Sequence, residues 1–109
     1  MSLKRVALRP LAHRVIEEAV DHYLSEAGER VALGFAEEVE RAFALLARTP
    51  GAGSPRHGFE LDLAGLRSWP VRRYPYLVFY VEADDLIDVW RVLHAQRDIP
   101  VWLHSPTGA

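Results

Sequence analysis

The sequence predicts an α+β fold in which an antiparallel helix hairpin packs on one face of a small, mainly antiparallel sheet of about four strands. Two observations carry this prediction. In the first half, two consecutive segments place apolar residues at the 3.6-residue period of amphipathic helices. In the second half, runs of β-branched and aromatic residues are bounded by turn residues, as in strands. The 109 residues suffice for one domain, which we assign to residues 1–109.

The first element is a short strand at residues 3–9, and Pro10 ends it. Proline also suits the first turn of a helix, because its missing N–H has no partner to lose there. The first helix therefore starts at this proline and runs to Gly28, which we expect to adopt a left-handed cap conformation. A second amphipathic helix follows at once and stops at residues 49–51, with Glu38 among the charged residues expected to face water. Two such helices joined by a glycine predict an αα-hairpin.

The segment 50–58 is rich in glycine and proline and predicts a loop without regular structure. A strand follows at residues 65–71, where Pro70 indicates either an edge position or a bulge. The runs at 76–81 and 86–94 flank a turn of acidic residues and predict a β-hairpin. The tail contains two further prolines, so we expect it to be irregular from about residue 98.

Charge and composition exclude several classes of protein. The chain has 13 Lys and Arg against 15 Asp and Glu, a net charge of −2, so direct specific binding of nucleic acid is not expected. Cysteine is absent, which excludes disulfides and thiolate metal sites. No apolar run approaches the roughly 20 residues of a membrane span, and the amino terminus has no signal-peptide core. We therefore expect a cytoplasmic protein with no membrane association.

No cofactor or metal motif stands out. The glycines do not form a phosphate-binding loop, and the histidines lack metal-ligand spacing with a third ligand. Glu18, His22 and Glu26 lie on successive turns of the first helix, an arrangement more typical of a solvated face than of a metal site. We predict neither metal nor cofactor.

Residue types suited to metal-free nuclease chemistry are present in the second half. Such chemistry requires an acid, a base and cations around one phosphate, and Arg67, His94 and Arg97 are of the types that supply them. Structural roles are the alternative for these residues. On that interpretation His94 caps the end of a strand, and Tyr80 is a core residue whose hydroxyl reaches water. The spacing alone does not decide between the two.

Aromatic residues are concentrated in the second half of the chain, which forms most of the predicted sheet. The helix hairpin covers only one face, so we expect the other to bind another macromolecule, since tryptophan and tyrosine beside arginine are typical of protein-binding hot spots. The residues concerned are Trp69, Tyr74, Tyr76, Phe79, Tyr80, Trp90 and Trp102. Core packing is the alternative for these residues, and for Phe79 and Trp90 the two interpretations carry equal weight.

The order of these parts, together with two motifs, resembles the ParE branch of the RelE/ParE toxin superfamily. The motifs are the strand opening Tyr74-Pro75-Tyr76 and the terminal run Leu93-His94-Ala95-Gln96-Arg97-Asp98. The resemblance implies the toxin of a type II toxin–antitoxin or plasmid-stabilisation module, neutralised by a ParD-like antitoxin. It further implies inhibition of DNA gyrase, and hence of replication, without enzymatic activity. By position it assigns target binding to Arg67, Trp69, Tyr74, His94 and Arg97.

Two alternatives stay open beside gyrase inhibition. The first is a ribosome-dependent messenger RNA endoribonuclease of RelE type, metal-independent, with Arg67, His94 and Arg97 as catalytic residues. RelE-type nucleases keep a basic cluster and a terminal tyrosine, whereas here Ala95 follows His94 and the tail has no tyrosine. The second alternative is a decayed, non-toxic binding module. The departures at the tail favour gyrase inhibition over the nuclease.

Overall fold

The computed structural model describes residues 3–97, and its architecture confirms the predicted α+β fold. One four-stranded sheet has the order β1-β4-β3-β2, with β1 parallel to β4 and the other neighbours antiparallel. Of the edge position and the bulge that Pro70 indicated, the edge position is found, because β2 lies at the end of the sheet. The elements in chain order are β1 (Arg5–Leu8), α1 (Pro10–Ala27), α2 (Glu29–Arg48), α3 (Arg56–Leu61), β2 (Leu66–Pro70), β3 (Tyr76–Glu82) and β4 (Leu86–His94).

The helix hairpin turns on a single residue. Gly28 alone separates α1 from α2, and its φ of +93° with ψ of 170° is a conformation essentially restricted to glycine. The predicted positive φ is therefore present, but the extended ψ differs from the left-handed helical cap we expected. Among the described residues, neither of these long helices has the apolar stretch that crossing a membrane requires.

Strand β3 alternates strictly between two hydrophobic layers. Tyr76, Val78 and Tyr80 face the helices and join a core that includes Phe35 and Leu46. The intervening residues of β3 point to the opposite face, where a second, smaller cluster forms around Leu66, Phe79 and Leu93. The sheet is thus buried on both sides of its central strand.

Strand β4 contains a bulge that shifts this alternation. Phe79 pairs with Arg91 and Tyr80 pairs with Val89, so Trp90 has no partner residue on β3. As a result Val89 and Val92, three residues apart, both belong to the helix-facing core. Trp90 packs against the cluster on the opposite face.

Residues 50–58 are not the irregular loop we predicted. Residues Pro50–Ala52 form a 3₁₀ turn, and α3 begins at Arg56. The glycine that we took as a helix breaker lets α3 approach the sheet, because a Cβ added to Gly58 would lie 2.6 Å from the Leu66 carbonyl oxygen. Close backbone packing against β2 therefore overrides the low helix propensity of this segment.

The expectation of a free second sheet face is wrong for the part that lies beside β2. Phe79 is 0% exposed, and the ring of His57 from α3 meets it edge-on with centroids 5.2 Å apart. Core packing, the alternative for these aromatics, is the arrangement found for four others, since Trp69, Tyr74, Tyr76 and Tyr80 all pack in or against the helix-facing core. Trp102 lies outside the described residues.

Glu38 of α2 also departs from expectation. It was predicted to face water, but it is only 6% exposed. The cost of burying its carboxylate is offset by Arg41, whose Nη1 lies 3.3 Å from Glu38 Oε1 one helical turn later.

Tyr80 ties the 50–54 segment to the centre of the sheet. Its hydroxyl donates to the Pro50 carbonyl oxygen at 2.6 Å and accepts the Gly53 N–H at 2.9 Å. Burial raises the pKa of this hydroxyl. The expectation that it reaches water is wrong, because the side chain is 0% exposed. A Cβ on Gly53 would lie 2.5 Å from the same oxygen, so only glycine fits there.

A polar cluster joins the end of β1 to β4. Arg9 donates to both carboxylate oxygens of Asp88, from Nε at 3.1 Å and from Nη2 at 2.9 Å. The guanidinium also lies 4.6 Å from the centroid of the Trp90 ring, whose Nε1 donates to Asp88 at 3.1 Å. The hydrogen bond from Arg9 is the main reason that the pKa of Asp88 is below its ordinary value.

We expect Tyr80→Phe to lower the free energy of unfolding by about 2 kcal/mol, since it leaves a buried N–H and a buried carbonyl without their partner. Tyr74→Phe is the matched control, because the Tyr74 hydroxyl makes one such bond, to the Val31 carbonyl at 3.0 Å. Urea unfolding followed by tryptophan fluorescence measures both variants. Equal losses in the two would show that the Tyr80 bridge is not a special anchor.

The Arg9–Asp88 pair predicts an acid-dependent loss of stability. Because folding lowers the pKa of Asp88 below 3.8, its contribution is complete above that pH and disappears as pH falls through the folded-state value. The Arg9 side chain is 53% exposed, so solvent screening limits the contribution to about 1 kcal/mol or less.

Asp88→Asn should therefore lower the unfolding temperature at pH 7 and flatten its decline in acid. Asp85→Asn, an exposed carboxylate in the β3–β4 turn, is the control and should leave both unchanged. Thermal melts between about pH 3 and pH 7 test this. An Asp88→Asn variant with the wild-type acid profile would contradict it.

Candidate functional site

The sequence-predicted residues His94 and Arg97 meet in a cleft between α1 and the ends of β3 and β4. Residues 15, 18, 19, 22 and 23 are spaced to share one face of α1, and that face forms one wall. Tyr76 and the end of β4 form the other wall. The cleft encloses about 430 Å³ and is lined by Val15, Glu18, Ala19, His22, Tyr23, Tyr76, His94 and Arg97.

His94 lies at this cleft because of the bulge in β4. Its ring meets Tyr76 edge-on with centroids 5.3 Å apart. Its Nδ1 accepts the backbone N–H groups of Gln96 at 3.3 Å and Arg97 at 3.2 Å. An accepting Nδ1 carries no proton, so the neutral ring is protonated at Nε2. Of the alternatives left open by the sequence, the cap at the end of a strand is therefore the geometry found.

Tyr23 connects the cleft to the aromatic core at the turn of the helix hairpin. Its ring centroid lies 5.3 Å from those of Phe35 and Tyr74. Burial is the main cause of a raised pKa at Tyr23, and the positive charge of Arg97 opposes that rise. Tyr74 thus stands behind the cleft, with its hydroxyl bonded to the Val31 carbonyl, and does not line it.

Arg67 is not brought to this cleft. It pairs with Tyr80 whereas His94 pairs with Tyr76, four residues along β3, so the two positions are separated by about 13 Å along the strand. They also lie on strands on opposite sides of β3. The guanidinium of Arg67 donates from Nη1 to the Gly53 carbonyl at 2.8 Å, which holds the 50–54 segment against β2.

Trp69 borders a different groove, of about 370 Å³, between α2 and the edge strand. Arg41, Arg72 and Glu38 also line this groove. The five residues assigned to target binding therefore lie in separate places. His94 and Arg97 line the α1 cleft, and Tyr74 lies behind it. Arg67 and Trp69 lie on β2.

The α1 cleft combines two imidazoles, one guanidinium, two phenols and one carboxylate. Such a set binds polar or anionic groups of a partner through directed hydrogen bonds and charge. Within residues 3–97, no group of three or more His, Asp or Glu side chains is placed to hold a metal ion. Glu18 and His22 line the cleft, but Glu26 does not.

His22 and Tyr23 were missed as site residues. Their positions on α1 indicated a water-facing histidine and a core tyrosine. Helical periodicity shows only which side of a helix faces the core, and not which other elements lie near a residue. Their proximity to His94 depends on how α1 crosses the end of the β-hairpin, a property of the tertiary structure.

Comparison with known proteins points to one family. A family model described as the ParE toxin of the type II toxin–antitoxin system, parDE, matches residues 6–99. Among solved structures ten chains match significantly. One, described as the chromosomal ParDE TA system from P. aeruginosa, has a TM-score of 0.71 at 19% identity and covers 86% of this chain and 98% of its own. That likeness concerns the fold. No curated protein matches significantly by sequence.

The geometry separates a structural arginine from a cleft arginine. Arg67→Ala should lower the free energy of unfolding by about 1 to 2 kcal/mol, because it removes a charged donor from a half-buried carbonyl. Arg97→Ala should change it by less than about 0.5 kcal/mol, since that side chain is exposed. Chemical denaturation of both variants gives the comparison, and the reverse order would contradict the placement.

Proposed function

This chain belongs to the ParE toxin family of type II toxin–antitoxin systems, and from that premise we propose that it inhibits DNA gyrase and thereby blocks replication. In this proposal the toxin acts in the cytoplasm, traps gyrase with its DNA cleaved, and is neutralised by a ParD-like antitoxin. A module of this kind stabilises the plasmid or chromosomal region that encodes it. The match of the ParE family model over residues 6–99 is the observation that carries the proposal.

The placement of the basic residues supports gyrase inhibition over messenger RNA cleavage. A metal-free ribonuclease requires an acid, a base and cations around one phosphate. Here Arg67 is bonded to the Gly53 carbonyl, away from His94 and Arg97. The Nδ1 of His94 is occupied by two backbone N–H groups. The net charge of −2 also argues against a protein that holds RNA by its phosphates.

The helix hairpin offers a surface for an antitoxin. Leu11, Leu24 and Leu33 are each at least half exposed on α1 and α2. An amphipathic helix of the antitoxin would lie across such apolar positions, and an extended segment would pair with β1, an outer strand of the sheet that residues 3–97 form, two common modes of peptide recognition. The ParDE neighbour supports a partner of this kind.

We expect the purified protein to convert plasmid DNA to the linear form when incubated with gyrase and then treated with detergent and protease. Arg97→Ala should weaken this gyrase-dependent DNA cleavage about tenfold, because it removes one charged contact with the target. Arg48→Ala, an exposed arginine at the end of α2 and outside the cleft, should leave it unchanged. Adding a ParD-like antitoxin encoded beside the gene should abolish the cleavage.

The ribonuclease alternative is tested with the same protein in a reconstituted translation reaction. Intact messenger RNA alongside gyrase-dependent DNA cleavage supports the proposal. Cut messenger RNA with undamaged DNA would contradict gyrase inhibition and indicate a RelE-type nuclease instead. Expression that affects neither DNA, messenger RNA nor growth would indicate the decayed module.

A further inference from the structure

We infer that His94 is a positioning residue, which holds Arg97 at the α1 cleft through its neutral ring and releases it when the ring is protonated. The part of this inference that concerns target binding rests on the proposed function. The part that concerns the turn itself rests on the structure of this chain alone.

The inference starts from the acceptor role of one ring nitrogen. The N–H groups of Gln96 and Arg97, two and three residues beyond His94, both donate to its Nδ1 at 3.3 and 3.2 Å. Asn and Asp side chains make the same contact in Asx turns, where a side-chain oxygen accepts an N–H two residues on. The imidazole thus closes the turn that follows β4 and sets the direction in which the Arg97 side chain leaves it.

Protonation removes this function for a simple reason. When Nδ1 carries a proton it becomes a donor, and it then faces two other donors without an acceptor between them. Both backbone hydrogen bonds are lost at once, and the turn loses its closure. Arg97 is then no longer held beside Tyr23 and His22 in the cleft.

Titratable and charged groups face the ring from three places in the fold. Facing His94 from α1 are Glu18, His22 and Tyr23. Tyr76 packs on its ring from β3, and Arg97 follows it in the turn. Protonation of the ring removes the acceptor for both backbone N–H groups, so target binding should fall with it.

Two substitutions separate the acceptor from the ring. His94→Asn keeps a side-chain acceptor at the position where an Asx turn needs one, but loses the contact with Tyr76. His94→Phe keeps the aromatic contact with Tyr76 but has no acceptor. If His94 is a positioning residue, gyrase inhibition by His94→Asn should lie within about twofold of wild type, whereas inhibition by His94→Phe should be about tenfold weaker. Circular dichroism melts verify that both variants are folded.

The pH dependence of gyrase inhibition gives a second test. Between about pH 8 and pH 6 the wild-type protein should lose inhibition, measured relative to His94→Asn at each pH. His94→Asn should lose less inhibition over this range, since residue 94 then carries no ionisable group. Two results would overturn the inference. One is stronger gyrase inhibition by His94→Phe than by His94→Asn, and the other is the same pH profile in wild type and His94→Asn.

Nuclear magnetic resonance tests the turn without gyrase. At neutral pH the ¹⁵N signal of Nδ1 should be that of an unprotonated nitrogen, and the Gln96 and Arg97 amides should exchange slowly in wild type and His94→Asn but fast in His94→Phe. A proton on Nδ1 at neutral pH, or equal protection in all three proteins, would refute the positioning role. If wild type does not inhibit gyrase, the proposed function fails and these spectra alone decide the inference.

Discussion

One extra residue in β4 determines which side chains reach the α1 cleft. Strict alternation from Val89 would direct Arg91 toward the helices and His94 away from them. Because Trp90 is unmatched on β3, the alternation shifts by one and Val92 takes the core position instead. His94 then faces α1, where it meets Tyr76 and the histidine and tyrosine of the first helix. The composition of the cleft is thus a consequence of one register shift.

Several side chains that look functional in the sequence stabilise the structure instead. Tyr80 and Arg67 both hold the 50–54 segment, one through its hydroxyl and the other through its guanidinium. Tyr74 bonds a carbonyl of α2 and packs in the aromatic cluster at the hairpin turn. Each ends in a polar group that a buried backbone atom needs as a partner, and this need is met only after folding. Residue type alone therefore overestimates the number of residues available to a target.

The long helices and the β3–β4 hairpin were predictable because their signals are local. Apolar residues at helical spacing, a proline at the start and a single glycine between the helices suffice for the hairpin. The short helix α3 was not predictable, because its low-propensity residues are held by packing of Gly58 against β2. The burial of Phe79 escaped prediction for the same reason, since the ring that covers it belongs to α3.

The sequence by itself determined the fold class, the order of the two long helices and the strands and, through its strand and tail motifs, the resemblance to a toxin family. These depend on periodicity and on residues adjacent in the chain. Only the tertiary structure decided that His94 and Arg97 share a cleft with His22 and Tyr23, and that Arg67 lies elsewhere. The physical reason is that such proximity depends on strand register and on the crossing of α1 over the sheet, which involve residues far apart in the chain.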